Sequence, residues 1–133
     1  MKYRKGYKYQ LARNEHFDVP IFPQKDIRTE FIYLGAKGSL IIWKGYAWDG
    51  CSGPTLDDKS NMRAGLAHDA LYQLMRQGHL NTEYRKTVDY IFYCLCLEAG
   101  MWKIRAKYYY WAVRKFAAAA ADPKNKKKIY EVP

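Results

Sequence analysis

No run of apolar residues in this 133-residue sequence approaches the roughly 18 uncharged positions that a membrane-spanning helix needs. The opening MKYRKGYKYQ holds no apolar stretch of the kind a secretory signal contains, so the chain is expected to start in the cytoplasm. No Cys-x-x-Cys pair occurs, which argues against a thiolate zinc site. Cys51, Cys94 and Cys96 are an odd set; Cys94 and Cys96 stand two apart on a predicted helix, face different ways and are expected as reduced thiols. There is no phosphate-cradling loop, no nucleophile elbow and no internal repeat. Helix-turn-helix, zinc-finger and ribonucleoprotein patterns are missing too, so sequence-specific nucleic-acid recognition is not expected.

Acidic residues are scarce: 13 Asp and Glu against 23 Lys and Arg leave a net charge of +10. That charge attracts polyanions in general, whether nucleic acid, anionic lipid headgroups or an acidic partner, and does not choose among them. Aromatics, by contrast, are plentiful at 17% within a hydrophobic content of 49%, enough for a packed, aromatic-rich core in a single domain over residues 1–121. Residues 122–133, with KNKKKIYEVP, read as a basic tail.

The two halves differ in period. Residues 1–50 alternate and are broken by Gly and Pro, as short strands are; FIYLGAKGSLIIWKG predicts a hairpin of Phe31 to Leu34 and Leu40 to Trp43 around a turn from Gly35 to Gly38. YKYQLA is a weaker strand candidate, and VPIFPQ reads as an extended connector because Pro20 and Pro23 cannot donate to a ladder. Helical spacing then runs from about Lys59 to Gln77, Thr82 to Ala99 and Trp102 to Ala121. Gly78 and Gly100 suit the ends of the first two, Asn81 suits the N-cap of the second, and Asp122-Pro123 closes the third. Short connections make successive helices antiparallel. The expected class is α+β, an antiparallel strand region packed on three helices.

The helical phase brings three polar residues inward. Ala64, His68, Leu71, Tyr72 and Met75 share one face of the first helix, and Arg85, Val88, Asp89, Phe92, Cys96 and Ala99 share one face of the second. A buried carboxylate is costly unless it accepts hydrogen bonds or meets a cation. His68 and Tyr72 on an antiparallel neighbour can both donate to Asp89, which fixes the histidine tautomer and leaves its other ring nitrogen able to accept a proton from water. Asp69 lies about 100° further round and faces the edge of that site. Upstream, YAWDGCSGPTLDD reads either as a tight turn or as a source of backbone carbonyls that, with Asp69, could cage a hard cation such as calcium.

Two resemblances follow from these residues. DGCSGPT, HDALYQLM, RKTVDYIF and an aromatic third helix resemble a family of small phage and prophage proteins of unassigned function, over most of residues 45–117. His68-Asp69-x-x-Tyr72 followed by Arg85-x-x-x-Asp89-x-x-Phe92 resembles the helix pair of secretory-type, and especially bacterial, phospholipases A2. The second resemblance implies a calcium-dependent ester hydrolase in which His68 is the base, Asp89 orients it, Tyr72 supports Asp89 and Asp69 binds calcium. Loop carbonyls would come from around Trp48, Gly50 and Ser52, which stand 20, 18 and 16 residues before His68. The chain departs from that family in lacking its disulfide lattice, in having Asp49, Cys51 and Ser52 within the loop, and in its added N-terminal strand region.

Around this core of candidates stand lesser ones. Arg85 and Asp49 lie beside the proposed site, and Asp57 and Asp58 either assist a cation or serve the N-terminus of the first helix, where carboxylates are favoured. His16 and His79 read as surface residues. On the third helix Ile104, Tyr108, Trp111 and Ala112 form a candidate core stripe with Lys107 and Arg114 solvated; the same basic-aromatic composition could instead stack bases or sit in a lipid interface. Two functions are thus expected: a hydrolase acting at a phospholipid or other anionic membrane surface, or a non-catalytic virion, tail or accessory protein of a phage in which the His-Asp-Tyr network staples two helices. Either would work in the host cytoplasm during infection, the second also in contact with virion proteins.

Overall fold

The computed structural model describes residues 9–48 and 61–125. It is an α+β fold, with antiparallel strands in two sheets and three main helices, the first two packed antiparallel. The strands are β1 (Tyr9–Gln10), β2 (Glu15–Asp18), β3 (Ile27–Arg28), β4 (Ile32–Leu34), β5 (Ser39–Ile42) and β6 (Ala47–Trp48). β1 pairs with β6, and the other four form a sheet in the order β2-β5-β4-β3.

The expected hairpin is present as β4 and β5, with Ile32 opposite Ile42 and Leu34 opposite Leu40. Gly35 N–H donates to the Ser39 carbonyl across the turn at 2.8 Å. Alternation decides which face is wet: Ile32, Leu34, Leu40 and Ile42 are fully buried, while Tyr33 and Ile41 between them are half-covered. The connector carrying Pro20 and Pro23 joins no strand ladder and lays Val19 and Ile21 into the same core.

The helices are α1 (Met62–Arg76), α2 (Arg85–Glu98), α3 (Lys103–Phe116) and α4 (Ala118–Ala121). Gly78 and Gly100 stop the first two as expected. Each takes a positive φ, which a residue without Cβ adopts at no steric cost, and the backbone closes on itself: His79 N–H bonds the Leu74 carbonyl and Met101 N–H the Cys96 carbonyl. Asn81 does cap the next segment, accepting from Glu83 N–H at 2.8 Å, but the first turn it caps is 3₁₀ (Thr82–Tyr84) and α2 proper begins at Arg85. Cys94 is half-buried and Cys96 buried, and neither is in a disulfide.

Two expectations about the third helix are corrected. It does not run unbroken to Ala121 but breaks at Ala117, although alanine is the best helix former and the sequence offers no stop there. The cause is tertiary: the Arg85 guanidinium donates to the carbonyls of Val113 and Arg114, the latter being the one a continuing helix would offer to Ala118. Nor do Ile104, Tyr108 and Trp111 form a core stripe; all three are exposed, and the buried face is Ala106, Tyr109, Ala112 and Val113. Small alanines at two of those positions let α3 lie close on α2, where the larger side chains would hold it off.

The sheet and the helices share one apolar cluster. Arg63 clamps the start of α1 to β2, its guanidinium 4.1 Å over the Phe17 ring and 2.8 Å from the His16 carbonyl. Tyr72, Leu71 and Met75 of α1 and Val88 and Phe92 of α2 are all buried, and the polar residues between them constitute the site. Among the described residues no helix is long and apolar enough to cross a membrane.

Candidate active site

Asp89 is 0% exposed, in the middle of α2, and its carboxylate is bonded on both oxygens. Oδ1 accepts from His68 Nε2 at 2.7 Å and from the Tyr72 hydroxyl at 2.5 Å. His68 and Tyr72 are four residues apart on α1, so one helical turn stacks their rings, with centroids 4.1 Å apart, and aims both at the same oxygen. Phe92, one turn beyond Asp89 on α2, closes the far side of the imidazole at 5.1 Å. The pairing that the helical phases imply is therefore the pairing the fold makes.

Oδ2 has a partner that the sequence did not disclose. Arg114 Nη1 donates to it at 2.8 Å from α3, and Arg85, one turn before Asp89, stands 3.9 Å away. Arg114 is therefore not a solvated flank of α3. One signal could have found it: His68 and Tyr72 supply dipoles but leave the carboxylate's unit charge uncompensated, and burying that charge demands a cation from a neighbouring helix. Arg85 closes the ring by donating through Nε to the Tyr72 hydroxyl at 3.0 Å while holding the end of α3. Three helices thus meet on one carboxylate, each polar contact charge-assisted and hence stronger than a neutral hydrogen bond.

The electrostatics follow from these contacts. Burial, the largest single influence, pushes the Asp89 pKa up. The hydrogen bond and electrostatic attraction of His68 Nε2–H and the bonds from Tyr72 and Arg114 more than reverse it, so the carboxyl sits below its ordinary value of 3.8. Burial and the bond to Asp89 push the Tyr72 hydroxyl far up, which keeps it a protonated donor. A carboxyl whose folded pKa is depressed stabilises the fold above its unfolded pKa, and that contribution is lost as pH falls through the folded value. The Asp89 contribution is accordingly expected to be complete at neutral pH, to begin falling near about pH 4 and to be lost as pH drops through the depressed folded value. Urea unfolding at pH 7, 4 and 2.5 checks this, and the decline should be much shallower in Asp89→Asn.

Around this centre the remaining candidates divide. Asp69 is half-buried on α1 beside His68 and makes contacts of its own. Trp48, in β6, stands opposite Tyr9, with its ring stacked on Tyr46, and its buried indole N–H has no hydrogen-bond partner among the described residues. Asp49, Gly50, Cys51, Ser52, Asp57 and Asp58 lie outside the described residues. Among the described residues no group of three His, Cys, Asp or Glu side chains is placed to hold a metal ion. His16 and His79 are on the surface, as expected. His16 sits near a hydroxyl and a carboxylate, but Ser39 Oγ at 3.0 Å and Asp18 at 3.4 Å both meet its Nε2, so it cannot relay a proton between them.

Compared with known proteins, the chain matches no family model, no curated protein and no solved structure.

Proposed function

We propose that this protein is a small ester hydrolase, of phage origin by its resemblance, that activates water with His68 in the manner of a phospholipase A2. The observation that carries the reading is the 2.7 Å bond between His68 Nε2 and the ionised Asp89 carboxylate. With Nε2 donating to Asp89, the basic lone pair is at Nδ1, on the opposite edge of the ring. There it takes a proton from water as the water oxygen bonds to the ester carbonyl carbon. The tetrahedral adduct then expels the alcohol oxygen, which recovers the proton from His68, giving a carboxylic acid and an alcohol. Asp89 stabilises the imidazolium formed in between, and Tyr72 and Arg114 hold Asp89 in place.

Calcium is the cofactor this reading calls for. The Asp69 carboxylate, next to His68, is the hard oxygen donor such an ion prefers, and Trp48, Gly50 and Ser52 would add backbone carbonyls. A bound cation would stabilise the oxyanion of the adduct. The substrate is a phospholipid or a related ester at an anionic surface, in keeping with the net charge of +10. Fatty-acid release from mixed phospholipid vesicles, measured with calcium and again with a chelator, tests the proposal. Release that chelation abolishes is expected, and no release from any phospholipid with calcium present would sink it.

One observation favours a second reading, that of a non-catalytic virion, tail or accessory protein. The Asp89 charge that would stabilise an imidazolium is shared with two guanidiniums, Arg114 at 2.8 Å and Arg85 at 3.9 Å. A carboxylate so compensated serves well as a staple between three helices. Its supporting result would be the protein's presence in purified virions together with a lack of any hydrolytic activity.

A further inference from the structure

The outward face of α3 carries large apolar side chains that the described residues leave in solvent. Ile104, Tyr108, Trp111 and Lys115 recur at intervals of four, three and four, so they form one stripe opposite the buried Ala106, Tyr109 and Val113. Ile104 is 84% exposed, as is Trp102 at the helix start, and Trp111 is 48% exposed. The rings are already ordered against each other: Trp111 lies 5.9 Å from Tyr108 and 5.9 Å from Phe116, and the Lys115 ammonium sits 5.4 Å over its face. A contiguous patch of this kind marks a surface built to be covered.

Charge selects the occupant. Apart from Arg114, which turns in to Asp89, α3 carries Lys103, Arg105, Lys107 and Lys115 and no acidic residue. A second copy of the chain would set this cationic face against its own image, where like charges repel. Nucleic acid could stack on Trp111 and Tyr108, but an exposed isoleucine offers a base neither a π-face nor a hydrogen bond. At a bilayer interface all of these residues have a place: tryptophan and tyrosine at headgroup level, isoleucine at the acyl boundary, and lysines on the lipid phosphates. We propose that the outer face of α3 docks the protein on an anionic phospholipid surface, inserting Ile104, Tyr108 and Trp111 with Lys103, Lys107 and Lys115 on the phosphates around them. The docking does not depend on the His68 chemistry, since the test reads binding and not turnover.

The full chain is sedimented with vesicles of phosphatidylcholine alone or of phosphatidylcholine with phosphatidylglycerol, and tryptophan emission is recorded. Binding to the phosphatidylglycerol vesicles with a blue shift is expected, and little to phosphatidylcholine alone. The double variant Ile104→Asp with Trp111→Ala should lose roughly tenfold or more in partitioning, and Lys107→Gln about fivefold. All three side chains are exposed, so the melting temperature should hold; should the double variant not fold, Lys103→Gln with Lys107→Gln gives the same test through charge. The proposal is overturned by absence of binding to anionic vesicles or by equal binding of the folded variants. It is also overturned by a dimer that only the double variant loses, or by a single-stranded oligonucleotide that displaces the vesicles.

Discussion

Replacing Asp89 by alanine is expected to lower the unfolding free energy by about 3–5 kcal/mol, the cost of leaving buried charges without their partner. Small domains carry roughly 5–15 kcal/mol in all, so the variant should be marginally folded or not folded at room temperature. The deficit arises less from bonds lost than from what stays behind. Arg114 would point a charged guanidinium at a cavity, and the buried His68 and Tyr72 would hold donors that have lost their acceptor. Asp89→Asn separates shape from charge: it keeps the volume and one acceptor oxygen but removes the anion that both arginines face, and it should fall between wild type and Asp89→Ala. Arg114→Met should cost less, because Arg85 remains within 3.9 Å of the carboxylate. Urea titrations of the four proteins give the order, and an Asp89→Ala protein as stable as wild type would remove the staple from consideration.

The second large effect concerns chemistry. His68→Gln should reduce calcium-dependent ester hydrolysis by a factor of about 10²–10⁴, the usual contribution of a positioned general base. Glutamine has nearly the bulk of histidine, and its amide N–H can still donate to Asp89, so the loss of stability should stay near 1–2 kcal/mol. Activity and stability should therefore part company in this variant, whereas in Asp89→Ala they fall together. An active His68→Gln protein would place the catalytic base elsewhere. Asp69→Asn, which spares the dyad, should leave the fold intact and raise the calcium concentration needed for half-maximal rate.

Much of this arrangement was legible because it obeys two short periods. The hairpin of β4 and β5 follows from alternation about a glycine-bounded turn, and the meeting of His68, Tyr72 and Asp89 follows from the 3.6-residue repeat on two helices joined by a short loop. β1 falls within YKYQLA, which alternation marks as a strand candidate, whereas β3, two residues long, exists because β4 lies opposite, which no local propensity announces. α3 was misjudged in rotation. A hydrophobic pattern gives weight to isoleucine, tyrosine and tryptophan, whereas closeness to α2 rewards alanine at 106 and 112, and closeness won. Arg114 was hidden for the same reason: with α3 turned to bury the wrong stripe, its side chain aims at solvent and not at Asp89. The proposed calcium loop rests on spacing to His68 and on the Asp69 carboxylate.

Two pairs at four-residue spacing, His68 with Tyr72 and Arg85 with Asp89, mesh like teeth across α1 and α2. Such an arrangement counts residues. One residue inserted between His68 and Tyr72, or between Arg85 and Asp89, turns half of a pair by about 100° and takes it off the carboxylate, while one added between Gly78 and Asn81 only lengthens a loop. The carboxylate thereby sets the phase of both helices, so that length changes in this half of the chain should be found in its connections and not within the helices themselves.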